Sequence, residues 1–199
     1  MIGDTKNRSV ALIAENIGAL DAIRDDQISI ALWQREPVID SASLDLDGIA
    51  DIRLTANIDE LSDALNDALA DAGYARSRSL TALQNDIESL AHGFADIMKT
   101  DVVEIRLEHV TTNACKKFHA DYVTARLITT YSGQGTQWLD GDDGADCGCG
   151  EPHHIQQMRA GDVALFKGRL WSSDAPAIHR SPPIEGTGEE RLMLVINPA

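Results

Sequence analysis

Apolar positions along the chain change their spacing near Thr100, and the predicted elements change with them. Over residues 57–73, Ile58, Leu61, Leu65, Ala68 and Leu69 recur at three- and four-residue steps, with Asp59, Glu60, Asp63 and Asp67 on the other side. That spacing predicts an amphipathic helix. Asn57, with Glu60 three residues on, marks its start, and Gly73 marks its stop. A second helix is predicted over residues 79–99, where Leu80, Leu83, Ile87, Leu90, Phe94, Ile97 and Met98 form one stripe. Beyond Thr100 the period drops to two. Val103, Ile105, Leu107 and His109 alternate with Glu104, Arg106 and Glu108, as in a half-buried strand.

Further strands are predicted at residues 123–131, 134–139, 162–167 and 191–196, separated by Gly and Pro clusters. One earlier strand lies within residues 26–36, where Pro37 ends it. Helices first and strands afterwards is an α+β layout. Residues 1–100 form a mainly helical N-terminal extension with a short strand, and residues 101–199 a strand-rich core, integrated as one domain. Many short strands ending in a buried apolar one predict a jelly-roll or barrel onto which the helices pack.

Composition narrows the function. The hydrophobic share of 43% supports a buried core, and 17 basic against 32 acidic residues give a formal net charge of -15. An acidic surface of this kind disfavours nucleic acid and anionic membranes as partners. No apolar run is long enough to span a bilayer, and residues 1–16 lack a signal-peptide core. Three cysteines, Cys115, Cys147 and Cys149, do not make a disulfide framework, so a reducing cytoplasm is expected. Cys115 is read as a small buried hydrophobe.

The candidate chemistry begins at Phe118-His119-Ala120-Asp121. In an extended chain residues two apart share a face, so an imidazole and a carboxylate can aim at one point. His179, just before the last apolar strand, is the best-placed third ligand. Two histidines and one carboxylate form the facial triad of non-haem Fe(II) oxygenases. His-x-Asp by itself is common, and it acquires weight only from the residues downstream of it. A second cluster, Cys147, Cys149, His153 and His154, offers ligand types that suit Zn²⁺, on a spacing unlike that of a standard zinc finger. A nucleophile elbow, a phosphate loop and a complete Ca²⁺ loop are all missing from the sequence.

The strand-rich half resembles the Fe(II)/2-oxoglutarate-dependent oxygenases, in particular their prolyl-hydroxylase-like branch. The resemblance rests on His119-Ala120-Asp121, Arg126-Leu127-Ile128-Thr129-Thr130-Tyr131, Gly161-Asp162-Val163-Ala164-Leu165-Phe166, His179 and Arg191. It implies a double-stranded β-helix (a jelly-roll or cupin-like barrel) carrying N-terminal helices. It implies Fe(II) on His119, Asp121 and His179, with 2-oxoglutarate held by Arg191. Tyr131 or Thr129 would add a hydroxyl to the same carboxylate, and Trp138, Phe166 and Trp171 would wall the pocket. The substrate, a small molecule or a protein side chain, is left open, as is the oligomeric state. Arg191 stands twelve residues after His179, beyond the usual spacing, so Gly186-Thr187-Gly188 has to absorb the excess. The alternative for Arg191 is an ordinary salt bridge to Glu189, Glu190 or Asp162. The chain also resembles a bacterial family without assigned activity that carries Gly-Thr-Gln-Trp and His-Arg-Ser-Pro, here Gly135-Thr136-Gln137-Trp138 and His179-Arg180-Ser181-Pro182. That family's link to zinc homeostasis implies a second reading, a non-catalytic zinc-binding protein on the same barrel.

Overall fold

The computed structural model describes residues 10–140, 152 and 154–199. Its strands are β1 (Ala11–Ala14), β2 (Ile30–Trp33), β3 (Ile52–Asn57), β4 (Val102–Val110), β5 (Ala125–Ser132), β6 (Gln137–Leu139), β7 (Ile155–Gln157), β8 (Val163–Lys167), β9 (His179–Arg180) and β10 (Arg191–Pro198). The helices are α1 (Leu61–Asp71) and α2 (Arg78–Met98), with a 3-10 helix at Ile17–Arg24.

Capping explains the helix limits. The Asn57 side chain accepts the Asp59 N–H, so it starts a 3-10 turn, Ile58–Glu60, and α1 grows from that turn. Gly73, at φ 91°, takes the left-handed backbone that a helix stop requires. The Ser77 hydroxyl caps α2 by accepting the Leu80 N–H at 3.0 Å. No described helix is long and apolar enough to cross a membrane.

Among the described residues seven strands form one sheet in the order β1-β2-β8-β5-β10-β4-β3, and three form another, β7-β6-β9. Every neighbouring pair is antiparallel except β1 with β2. Three strands that precede α1 therefore join the large sheet, where the sequence pattern had suggested one. β3 has the required alternation, Ile52, Leu54 and Ala56 against Arg53 and Thr55, but is too short and polar to stand out.

Alternation along the strands divides two cores. On one face Ile105 and Leu107 of β4, Leu127 of β5 and Leu194 of β10 share an apolar cluster with Leu83, Ile87, Leu90 and Phe94 of α2. Burying such a side chain contributes roughly 1.5–3 kcal/mol, which is what holds the helices there. On the other face Ile128, Phe166, Met193 and Val195 pack with Trp138 of the small sheet. Arg126, Ile128 and Thr130 consequently face the small sheet, while Leu127, Thr129 and Tyr131 face the helices.

A polar clamp fastens the helix side. Arg35 pairs with Asp86 through two bonds, 2.6 and 2.8 Å, and the Tyr131 hydroxyl donates to the same carboxylate at 2.7 Å. β6 begins at Gln137, later than the apolar pattern suggested, because Gly135 is pressed against a neighbouring chain segment. A Cβ there would lie 2.2 Å from the Met158 carbonyl oxygen.

Candidate metal centre

His119 and His179 come from distant segments joined by a single β-bridge. The His119 N–H donates to the His179 carbonyl, and the His179 N–H to that of His119, both at 3.0 Å. Asp121 is fixed by the turn after β8. Its carbonyl accepts the Arg169 N–H at 2.8 Å, and the Gly168 N–H donates to Thr124 at 2.8 Å. Glycine is required at that approach, since a Cβ on Gly168 would stand 2.0 Å from the Val123 carbonyl oxygen.

The three side chains converge. One ligand atom from each of His119, Asp121 and His179 lies within 4.8 Å of the others. His179 Nε2 stands 3.2 Å from Asp121 Oδ2, and His119 Nε2 3.6 Å from Oδ1. Both imidazoles engage a backbone carbonyl through Nδ1, His119 at Lys117 (2.8 Å) and His179 at Ala177 (3.3 Å). A neutral histidine held in this way presents the Nε2 lone pair to its other side, as metal-binding histidines do. Asp121 Oδ2 is buried and has no hydrogen-bond partner among the described residues. Burial raises the Asp121 pKa, but the His119 and His179 imidazoles beside it and the charge of Arg126 outweigh that effect and hold the carboxyl well below its ordinary range. The neighbouring Asp121 carboxylate raises the His119 pKa against the opposing effect of its burial. The donor set suits a hard or borderline divalent cation.

Arg191 lies on the same face of the large sheet, 0% exposed. Its Nε donates to the Gln134 carbonyl, Nη2 is 3.4 Å from Thr130 Oγ1, and Nη1 has no partner among the described residues. The carboxylates considered as partners are engaged elsewhere: Glu190 with His109, Glu189 with Gln134, and Asp162 with Arg159. Burial pulls the guanidinium pKa down to about 10. Gly186 and Gly188, at φ 81° and 78°, make the turn that absorbs the long spacing from His179.

Other expected residues sit differently. Tyr131 is bonded to Asp86 on the helix side, and Thr129 shares that face, so Thr130 is the hydroxyl beside Arg191. Strand alternation is the reason: Thr129 and Tyr131 are each one residue out of phase with Thr130. Phe166 and Trp138 do lie on the inner face, the Phe166 ring 4.8 Å from that of His179. Trp171 packs on the helix-side core, beneath Lys167. Cys115 is exposed, at φ 54°, in the loop between β4 and β5, so it is not a buried hydrophobe. Cys147, Cys149 and His153 lie outside the described residues, and His154 is exposed.

A cavity of about 300 Å³ opens beside the triad, lined among others by His119, His179, Arg106, Cys115, Arg126 and Thr136. Arg126, to which the sequence pattern assigned no role, pairs with Asp121 Oδ1 at 2.8 Å. Its two-residue step from Ile128 and Thr130 was the available signal.

The family model described as "Protein of unknown function (DUF1826)" matches residues 14–197. No curated protein matches the chain in sequence. In three dimensions the chain is similar to a dioxygenase for auxin oxidation from rice, with a TM-score of 0.55 at 10% identity, over 95% of this chain and 82% of that one. A prolyl-4-hydroxylase from Pseudomonas putida aligns with a TM-score of 0.45 at 10% identity, over 92% and 98% of the two chains. The likeness to the rice enzyme is one of fold: a mixed α+β chain with a large sheet and few helices, like an oxygenase jelly-roll.

Proposed function

The chain belongs to the DUF1826 family, and on that premise we propose that it is a non-haem Fe(II), 2-oxoglutarate-dependent oxygenase hydroxylating a small molecule or a protein side chain. In this reading the two sheets are the halves of a double-stranded β-helix, with α1 and α2 against the outer face of the larger. His119 Nε2, His179 Nε2 and Asp121 Oδ2 hold the metal. The two anchored imidazoles and the orphaned carboxylate oxygen fit that role.

The observation that carries the co-substrate half is the buried guanidinium of Arg191. A charge removed from water is ordinarily paired, and Arg191 has no ion pair among the described residues. Its Nη1 offers a donor for the distal carboxylate of 2-oxoglutarate, the bond a planar guanidinium makes best. Thr130 Oγ1 is the adjoining hydroxyl. When bound, iron and 2-oxoglutarate supply C–H oxidation by O₂, one oxygen atom passing to the product and one to succinate as CO₂ is released. The chain's own residues hold the donors on one side, leave the other side to the cavity and keep Arg191 out of water.

Elemental analysis of protein purified without added metals or an affinity tag tests the reading. Iron is expected at close to one per chain, and 2-oxoglutarate should raise the Tm of the anaerobic iron-loaded protein. His119→Ala and Asp121→Ala should abolish metal binding while retaining the far-UV circular dichroism of the fold. Tightly held zinc with no response to 2-oxoglutarate refutes it.

A further inference from the structure

Asp121 stands at the end of a polar row of ion pairs and hydrogen bonds that crosses the large sheet. Arg126 Nη1 is ion-paired with Asp121 Oδ1 at 2.8 Å, and Arg126 Nε donates to Asn197 Oδ1 at 2.9 Å. Asn197 Nδ2 donates in turn to Glu104 Oε2 at 2.7 Å, and Glu104 Oε1 is paired with Arg53 at 2.6 Å. Strand register builds the row. Asn197 of β10 stands opposite Glu104 of β4, and its neighbour Ile196 stands opposite Leu127, next to Arg126 of β5.

Donors and acceptors run one way along it. A carboxylate can only accept, so Glu104 compels the Asn197 amide to turn its nitrogen outward and its oxygen toward Arg126. That oxygen then fixes the guanidinium plane through Nε. Asn197 is 4% exposed, and the Asp121 and Arg126 side chains are 11% and 18% exposed. Water therefore competes weakly for these bonds, and the orientation is passed from strand to strand.

The consequence falls on the carboxylate. Oδ1 is held in an ion pair with the Arg126 guanidinium, largely out of reach of water. Oδ2 is buried, faces His179 Nε2 and accepts no hydrogen bond among the described residues. Offering both oxygens to an ion would give up the ion pair with Arg126.

Resting on the metal reading above, we infer that Arg126 is a positioning residue for Asp121, oriented through Asn197 and Glu104, and that it confines the carboxylate to binding metal through Oδ2 alone. A metal held in this way would keep one more position free for other ligands. A residue that only neutralised Asp121 would not need Asn197 or Glu104, so the outer members of the row separate orientation from charge.

The test uses the full chain loaded with Mn(II) in place of iron, following water-proton relaxation, which reports affinity and bound water together. Asn197→Leu and Glu104→Leu leave the Arg126 charge in place and should weaken Mn(II) binding about 10- to 100-fold, as loss of an outer partner does. Glu104→Gln keeps an oxygen for Asn197 Nδ2 and should stay within about twofold of wild type. Arg126→Met frees Oδ1 and should cost about a third of the relaxivity per bound ion, one open position of the facial triad being filled. The Glu104 side chain is 20% exposed, so Glu104→Leu carries the test if Asn197→Leu does not fold. Wild-type affinity in both Leu variants, or full relaxivity in Arg126→Met, overturns the inference. Mn(II) binding that survives His119→Ala overturns the metal reading instead.

Discussion

Arg191→Met is the most informative single change, because its effect on stability and its effect on ligand binding point in opposite directions from those of a structural arginine. Burial alone pulls the guanidinium pKa from 12.5 to about 10, a penalty of about 3 kcal/mol for keeping the charge in the fold. The depressed pKa belongs to a base that stays charged at neutral pH, so this penalty is fully present there. Methionine removes it but leaves the Gln134 carbonyl without its donor, at about 1–3 kcal/mol. The two effects nearly offset, so ligand-free Arg191→Met should melt within about 4 °C of wild type for a chain of this size. Removing one partner of a true buried ion pair would instead cost about 3–5 kcal/mol, or roughly 10 °C. At a 100-fold excess over Kd, 2-oxoglutarate should stabilise the metal-loaded wild type by about 2.7 kcal/mol and leave the variant unmoved. Differential scanning calorimetry of both proteins, with and without metal and 2-oxoglutarate, decides the matter. A ligand-free variant that melts roughly 10 °C lower, or one that keeps the full 2-oxoglutarate shift, refutes the reasoning.

Two further expectations concern the helix side of the sheet. Tyr131→Phe loses one bond to an Asp86 still held twice by Arg35; it should cost about 1 kcal/mol in urea unfolding and leave the 2-oxoglutarate response intact. Asp86→Ala strands Arg35 and should cost about 3–5 kcal/mol in the same assay. Tyr74 and Tyr131 both have raised pKa values, first through burial and then through Asp51 and Asp86 respectively. Their stabilisation is complete below the ordinary tyrosine range and is lost as pH rises above about 10, where the unfolded chain releases protons that the folded one keeps. Stability should then fall by about 1.4 kcal/mol per pH unit for each tyrosine. A flat profile, with tyrosinate appearing in the still-folded protein, contradicts this.

Local pattern alone carried much of the architecture. The three- and four-residue steps of Leu83, Ile87, Leu90 and Phe94 determined α2, and the alternation of Val103, Ile105 and Leu107 determined β4, because periodicity reports which residues share a face. His119 and Asp121 were legible as a pair for the same reason. Alternation does not say which face is which. Thr129, Thr130 and Tyr131 are adjacent polar residues of one strand, and only the helices packed over Tyr131 and the small sheet opposite Thr130 made Thr130 the neighbour of Arg191. Joining His179 to His119 needed a bridge between segments far apart in the chain, and the row from Arg126 through Asn197 to Glu104 needed the register of three strands. Such pairings arise from non-local hydrogen bonding, which no local window contains. The sequence by itself decided which residues could do chemistry. Tertiary structure decided which of them meet, and left Arg191 buried with no counter-charge among the described residues.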